Sequence, residues 1–239
     1  GVEVVSETND NNVNIINVDF EDGMMPEGWV TTSQQIYQTT SEWSVSERLA
    51  YTNFSAKGKY AAFSNGTAYD GLRYEMITSA VDLTTSISAA LSFDYANVEF
   101  LGDKCVLNVK VGTSQEGPWE TVFSTADSYA NEWTYKTIDL TQFIGQTIYV
   151  AFENEDYNGY GIGVDNIVLN SIEPKIVWSN TLDKDMYTTV EVAVTSNATE
   201  SMSGTTVKFV NLYETGFDYE AVLDATASYE WTEFRKGTY

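Results

Sequence analysis

Apolar side chains recur at every second position along most of this chain. Leu91, Phe93 and Tyr95 fall on one side of a stretch whose other side carries Ser92 and Asp94. The same period of two returns at Leu107, Val109 and Val111, at Ile148, Val150 and Phe152, and at Val190, Val192 and Val194. Such alternation predicts strands with one buried face, since successive strand side chains point to opposite sides of a sheet. No window of helical length sustains apolar residues at three- and four-residue spacing, so helix is expected only as short turns. Between the strands lie Asn65-Gly66, Asp70-Gly71, Ser114 to Pro118, Asn158-Gly159 and Ser203-Gly204, all turn-forming chemistry. Strands with one apolar face, joined by such turns, bury that face by stacking as two sheets. The predicted class is all-β, a β-sandwich.

The chain is long enough for one large sandwich or two smaller ones, and two is the preferred reading. Of the three prolines, Pro174 lies in Ser171-Ile172-Glu173-Pro174-Lys175, directly after the apolar run Ile167 to Leu169, which places a boundary near residue 172. Residues 17–171 then form the first domain and 175–239 a smaller second one. Residues 1–16, with the polar run Asn9 to Asn12, read as an exposed leader that either pairs with a sheet edge or stays free. A chain starting at Gly1 reads as a trimmed piece of a larger multidomain protein.

Charge narrows the function. Twelve basic and 35 acidic residues without any histidine give a formal net charge of −23, a field that repels phosphate, so nucleic acid is not an expected partner. With 43% hydrophobic and 14% aromatic residues, the acids form a coat on a packed core rather than a disordered chain. The single Cys105 leaves no internal disulfide, and no Cys/His cluster offers a zinc site. Cys105 itself, among alternating apolar neighbours, reads as buried and inert. No apolar stretch approaches the roughly 18 residues that span a bilayer, so membrane insertion is not expected. Without histidine, the usual serine triads, Cys/His pairs and HExxH zinc sites are excluded. Paired carboxylates hydrolyse glycosides when held roughly 5–10 Å apart, but no short acidic motif of that kind stands out, and the expectation is a non-enzyme.

From Asp19 to Leu169 the order of landmarks is more specific. It runs Asp19-Phe20-Glu21, Pro26-Glu27-Gly28-Trp29, Trp43, Ile77-Thr78-Ser79-Ala80-Val81-Asp82-Leu83 and Leu91-Ser92-Phe93. It continues with Val109 to Ser114, Trp133, Ile138-Asp139-Leu140, Gly145 to Phe152, and closes on Val164-Asp165-Asn166-Ile167. In this order the sequence resembles the cleaved adhesin family, the jelly-roll modules of gingipain-type bacterial surface proteins, which are similar in turn to MAM domains. Many members of that family carry Arg and His after the Ala-Phe of the penultimate strand, where this chain has the acidic Glu153-Asn154-Glu155-Asp156. Residues 175–239 resemble an immunoglobulin-like or regulatory-type sandwich in which Lys236-Gly237-Thr238-Tyr239 leads toward a last strand.

Calcium is the candidate cofactor, because hard cations gather six to eight oxygens and this chain is rich in carboxylates. Alternation sets Asp19 and Glu21 opposite Phe20 on an early strand. The resemblance implies pairing of such an N-terminal acid with the Asp of the closing strand, here Glu21 with Asp165, with Asp19 and Asp22 nearby. The alternative is that all four are solvated strand-end acids. The spacing Asn154-x-Asp156-x-Asn158-Gly159, with Asp165 twelfth, matches an EF-hand loop, but Gly161 replaces the apolar anchor and the flanks read as strands, so a β-connection is expected instead. Most tryptophans are expected in the core. Tyr157 and Tyr160, set among Asn158, Gly159 and Gly161, are the candidate ligand contacts on an exposed turn.

These expectations describe a non-catalytic, calcium-stabilised adhesion or recognition module, secreted or at the cell surface of a bacterium, whose partner is a host protein or a glycan. A carbohydrate-binding accessory module of a secreted hydrolase and a structural spacer are the alternatives. Exposed Tyr or Trp in a groove would favour carbohydrate; a flat polar surface would favour protein.

Overall fold

The computed structural model describes residues 12–36, 39–67 and 71–173, together with five strands beyond them. Fourteen strands make up the first part: β1 (Asn12–Val18), β2 (Val30–Thr31), β3 (Gln34–Ile36), β4 (Thr39–Ser41), β5 (Trp43–Ser46), β6 (Ala61–Asn65), β7 (Arg73–Ile77), β8 (Val81–Asp82), β9 (Ser88–Val98), β10 (Val106–Gly112), β11 (Trp119–Ser124), β12 (Thr134–Asp139), β13 (Thr147–Glu155) and β14 (Gly161–Ile172). One 3-10 turn, Thr141–Phe143, is the helical content among the described residues.

Two six-stranded sheets form the body. The first runs β12-β9-β14-β6-β5, with β1 also on β14; the second runs β11-β10-β13-β7-β2, with β8 also on β13. β6 pairs with Gly161–Val164 and β1 with Ile167–Ile172, so the two short strands share one edge of β14 end to end. All these pairings are antiparallel. The sandwich predicted from alternation is therefore the fold of the first unit, and its core is the predicted faces: Leu91, Phe93 and Tyr95 from one sheet meet Leu107, Val109, Val111, Ile148, Val150 and Phe152 from the other, all buried.

The segment 1–16, read as a leader, divides. Residues 12–16 open β1, pair with β14 and bury Ile16, while 1–11 lie outside the described residues. Three asparagines and a bulge between Asn14 and Ile16 break the alternation that would have marked this strand.

From Glu173 the chain belongs to a separate unit. There β15 (Ile176–Leu182), β16 (Val190–Ser196) and β19 (Ser228–Trp231) form an antiparallel sheet, and β17 (Thr206–Phe209) pairs with β18 (Tyr219–Val222). Most of the residues that would define an immunoglobulin-like module or its last strand lie outside the described residues.

Candidate functional site

Asp165 sits where β14 changes phase. Ile162 and Val164 face the core before it and Ile167 and Leu169 after it, a switch that needs one extra residue. The bulge between Asp165 and Val168, with Asn166 at φ 49°, supplies it. Asp165 is turned to the outer face yet buried, as is Asp94, its partner across the β9 ladder. Burial pushes the Asp165 carboxyl up to about 6; its bond from the Asn166 N–H works the other way, and the charges of Asp94, Glu21 and Asp19 raise it further. Asp94, which the sequence did not single out, accepts both oxygens' worth of bonding from the Lys57 ammonium at 2.9 Å and a bond from the Asn166 side chain at 2.8 Å.

Of the four acids expected at a cation site, Asp19 and Glu21 each raise the Asp165 carboxyl through their charge. They do so by a different local route from the predicted one. Asp19, Phe20 and Glu21 lie beyond β1 in a turn closed by the Gly23 N–H on the Phe20 carbonyl, with Phe20 itself at φ 56°. Phe20 is buried edge-on against Trp29, and this anchor, not strand alternation, turns Asp19 and Glu21 outward. Glu21 accepts the Lys59 N–H at 2.8 Å. A Cβ on Gly58 would lie 1.8 Å from Glu21 Oε1, so a side chain at residue 58 would displace the Glu21 carboxylate from this position. Asp22 accepts the Met24 N–H. No group of three or more Asp, Glu, Cys or His among the described residues is arranged to hold a metal ion.

The EF-hand-like spacing is a β-connection, as expected. Asn154 lies one residue before the end of β13 and donates to Ser64, while Asp156 is fully buried and accepts the Thr67 and Asn158 N–H groups. Asp165 lies four residues into β14, roughly 13 Å further at about 3.3 Å per residue. Cys105 donates to Asp156 at 3.4 Å; burial and that carboxylate push its thiol up to about 12. A thiol so placed is no nucleophile at neutral pH.

Tyr157 and Tyr160 separate. Tyr157 is exposed and donates to Glu155 at 2.8 Å. Tyr160 stands edge-on to Phe100 and lines a groove of about 670 Å³ with Arg48, Tyr51, Thr52, Asn53, Phe54, Val98 and Glu99. Tyr51 is 96% exposed at φ 62°, held out by a turn in which Thr52 bonds the Leu49 carbonyl and the Phe54 N–H. The rule that selected Tyr160, an aromatic within turn residues, applies equally to Tyr51 between Ala50 and Thr52-Asn53. Trp43 is in the core, and Trp133 packs against Phe54 and Phe63 beneath the groove.

On the outer face of the second sheet, neighbouring strands align Glu75, Glu153 and Asn108. Lys110 bridges Glu75, at 3.3 Å, and the buried Glu153. Arg73 meets Glu155 at 2.6 Å. Burial pushes Glu155 up, but its bonds from Tyr157, Asn108 and Arg73 outweigh that and hold it below the usual glutamate range.

No protein-family model matches the chain, and no curated protein does. Solved structures do match. The module TmCBM61, solved with β-1,4-galactotriose, is 16% identical at a TM-score of 0.47, over 66% of this chain and 97% of that one. The K1 cleaved adhesin domain of Lys-gingipain from Porphyromonas gingivalis W83 is 17% identical at 0.46, over 64% and 96%. The CBM22-1 xylan-binding domain of Paenibacillus barcinonensis Xyn10C is 12% identical at 0.46, over 68% and 96%. At these identities the likeness is one of fold.

Proposed function

We propose that this chain is a non-catalytic recognition module, secreted or at the cell surface, that binds a neutral glycan in the groove between Tyr51 and Tyr160. The observation that carries the reading is Tyr51, an aromatic ring almost wholly in solvent beside a second tyrosine and the polar set Arg48, Asn53, Thr52 and Glu99. Solvent-facing rings stack on the apolar faces of pyranoses, and a few fixed polar groups read the hydroxyls. The net charge of −23 disfavours anionic polysaccharides. A grooved aromatic site favours glycan over host protein. The test is titration calorimetry against a panel of neutral oligosaccharides. Tyr51→Ala and Tyr160→Ala should each weaken binding about tenfold or more, equivalent to about 1.4 kcal/mol. Unchanged affinity in both variants would overturn the groove as the site.

The same proposal includes calcium as a structural ion. Among the described residues no three acids are arranged round an ion as they stand, so Asp165 and Glu21 would have to close on it, with Asp94 and Asp19 beside them, and its charge would offset acids that otherwise repel while tying the turn after β1 to β14. What supports this is the convergence of like charge on the buried Asp165. The Lys57 ammonium supplies cationic charge at Asp94 in the structure and, half in solvent, would have to swing away. Melting curves with calcium and with chelator test it. The wild type should melt higher in calcium and Asp165→Asn should not; coincident wild-type curves would leave Lys57 as the resident cation and retire calcium.

A further inference from the structure

We infer that the opposite end of the sandwich carries a second binding site for neutral sugar, built on Trp119. The Tyr51 groove lies by the connection from β9 to β10, whereas this second groove lies where β10 turns into β11. It occupies about 410 Å³, within the roughly 300–1,000 Å³ of small-ligand pockets, and is lined by Trp119, Pro118, Glu120, Gln142 and Gln146 among others.

Trp119 lines the groove and stands outside the core packing that takes up Trp29, Trp43 and Trp133. The indole N–H of Trp43 donates to the Tyr74 carbonyl and that of Trp133 to the Ser55 carbonyl. The Trp119 ring lies across two glycines: a Cβ on Gly112 would come within 2.9 Å of Cε3, and one on Gly117 within 2.8 Å of Cδ1. Bare backbone under both edges fixes the plane of the ring, while the ring lines the groove. Beside it the Gln142 amide donates to Glu120 at 3.2 Å, which orients an exposed carboxylate and amide as a ready-made acceptor and donor pair. Gln146 and Thr113 add further hydroxyl-reading groups. A flat ring bordered by amides and a carboxylate, without a cation in the groove lining, is the chemistry that recognises a neutral pyranose. A strongly acidic surface again disfavours an anionic sugar.

The site stands apart from the Tyr51 groove, so the two fail separately. The experiment uses the whole chain, ¹⁵N-labelled, titrated with neutral β-1,4-linked oligosaccharides of glucose, xylose, mannose and galactose. One indole N–H cross-peak, assigned to Trp119 by its loss in Trp119→Phe, should shift in the Tyr51→Ala protein as in the wild type. Gln142→Ala, an exposed change that spares the core, should weaken that response about tenfold; Trp119→Ala, which lacks the signal, is read by titration calorimetry in the Tyr51→Ala protein, where it should abolish the remaining sugar binding. The proposal is overturned if no sugar in the panel moves the Trp119 signal, if Gln142→Ala and Trp119→Ala bind as tightly as wild type, or if proline-rich peptides shift the signal where sugars do not.

Discussion

Asp165 and Asp94 stand directly opposite one another across the β9–β14 ladder, two buried carboxylates on the outer face of the same sheet. Like charges at facing positions oppose strand pairing. Here the conflict is shared out: Asp94 takes the Lys57 ammonium and the Asn166 amide, while Asp165 keeps a bond only from the neighbouring N–H and has its carboxyl pushed up to about 6.

That asymmetry makes stability depend on pH in a definite sense. The native Asp165 holds its proton to about pH 6, whereas the unfolded chain releases it near 3.8. The native state therefore binds more protons between those values, and this group's contribution falls as pH rises through the window, by at most about 1.4 kcal/mol per pH unit. In chelator, Asp165→Asn should be more stable than wild type at pH 7 and lose that advantage by pH 4. Parallel denaturation profiles for the two proteins would contradict it.

Lys110 is the expected weak point of the second sheet. It neutralises the buried Glu153, and removing one partner strands the other in a poorly solvated place. Lys110→Ala should cost about 3 kcal/mol, near the low end for such a loss, because Arg73 remains 3.6 Å from Glu153. Lys110→Met combined with Glu153→Gln should recover most of it in urea denaturation. An additive double variant would show that the pair is not coupled.

The thiol of Cys105 should be silent. Buried beside Asp156 and raised to about 12, it should resist a thiol reagent at pH 8 in the folded protein and react within minutes in denaturant. Rapid labelling of the native protein would mean that the turn over Asp156 opens readily.

The class of fold was legible because alternation is a local property. Leu107, Val109 and Val111 announce a buried face whichever strands lie beside them, and stacking two such faces is how a sandwich forms. Landmark order named Asp19, Glu21, Asp22 and Asp165 as candidates for a cation site. The burial of Asp94 opposite Asp165 could not be read in this way, since Asp94 alternates with core residues as any solvent-facing acid does, and only the loop that brings Lys57 over it reveals burial. Tyr51 escaped for a related reason: its sequence surroundings mark a turn, but whether a turn projects an aromatic into a groove depends on Tyr160 and Glu99 arriving from other connections.

By itself, then, the amino-acid order determined the all-β class, the core faces and the acidic coat, all of which follow from short-range pattern and composition. The tertiary structure alone decided which outward-facing residues are covered, which like charges meet and which rings reach solvent. Those outcomes depend on strand register, bulges such as the one after Asp165 and loop crossings, and each joins residues far apart in the chain.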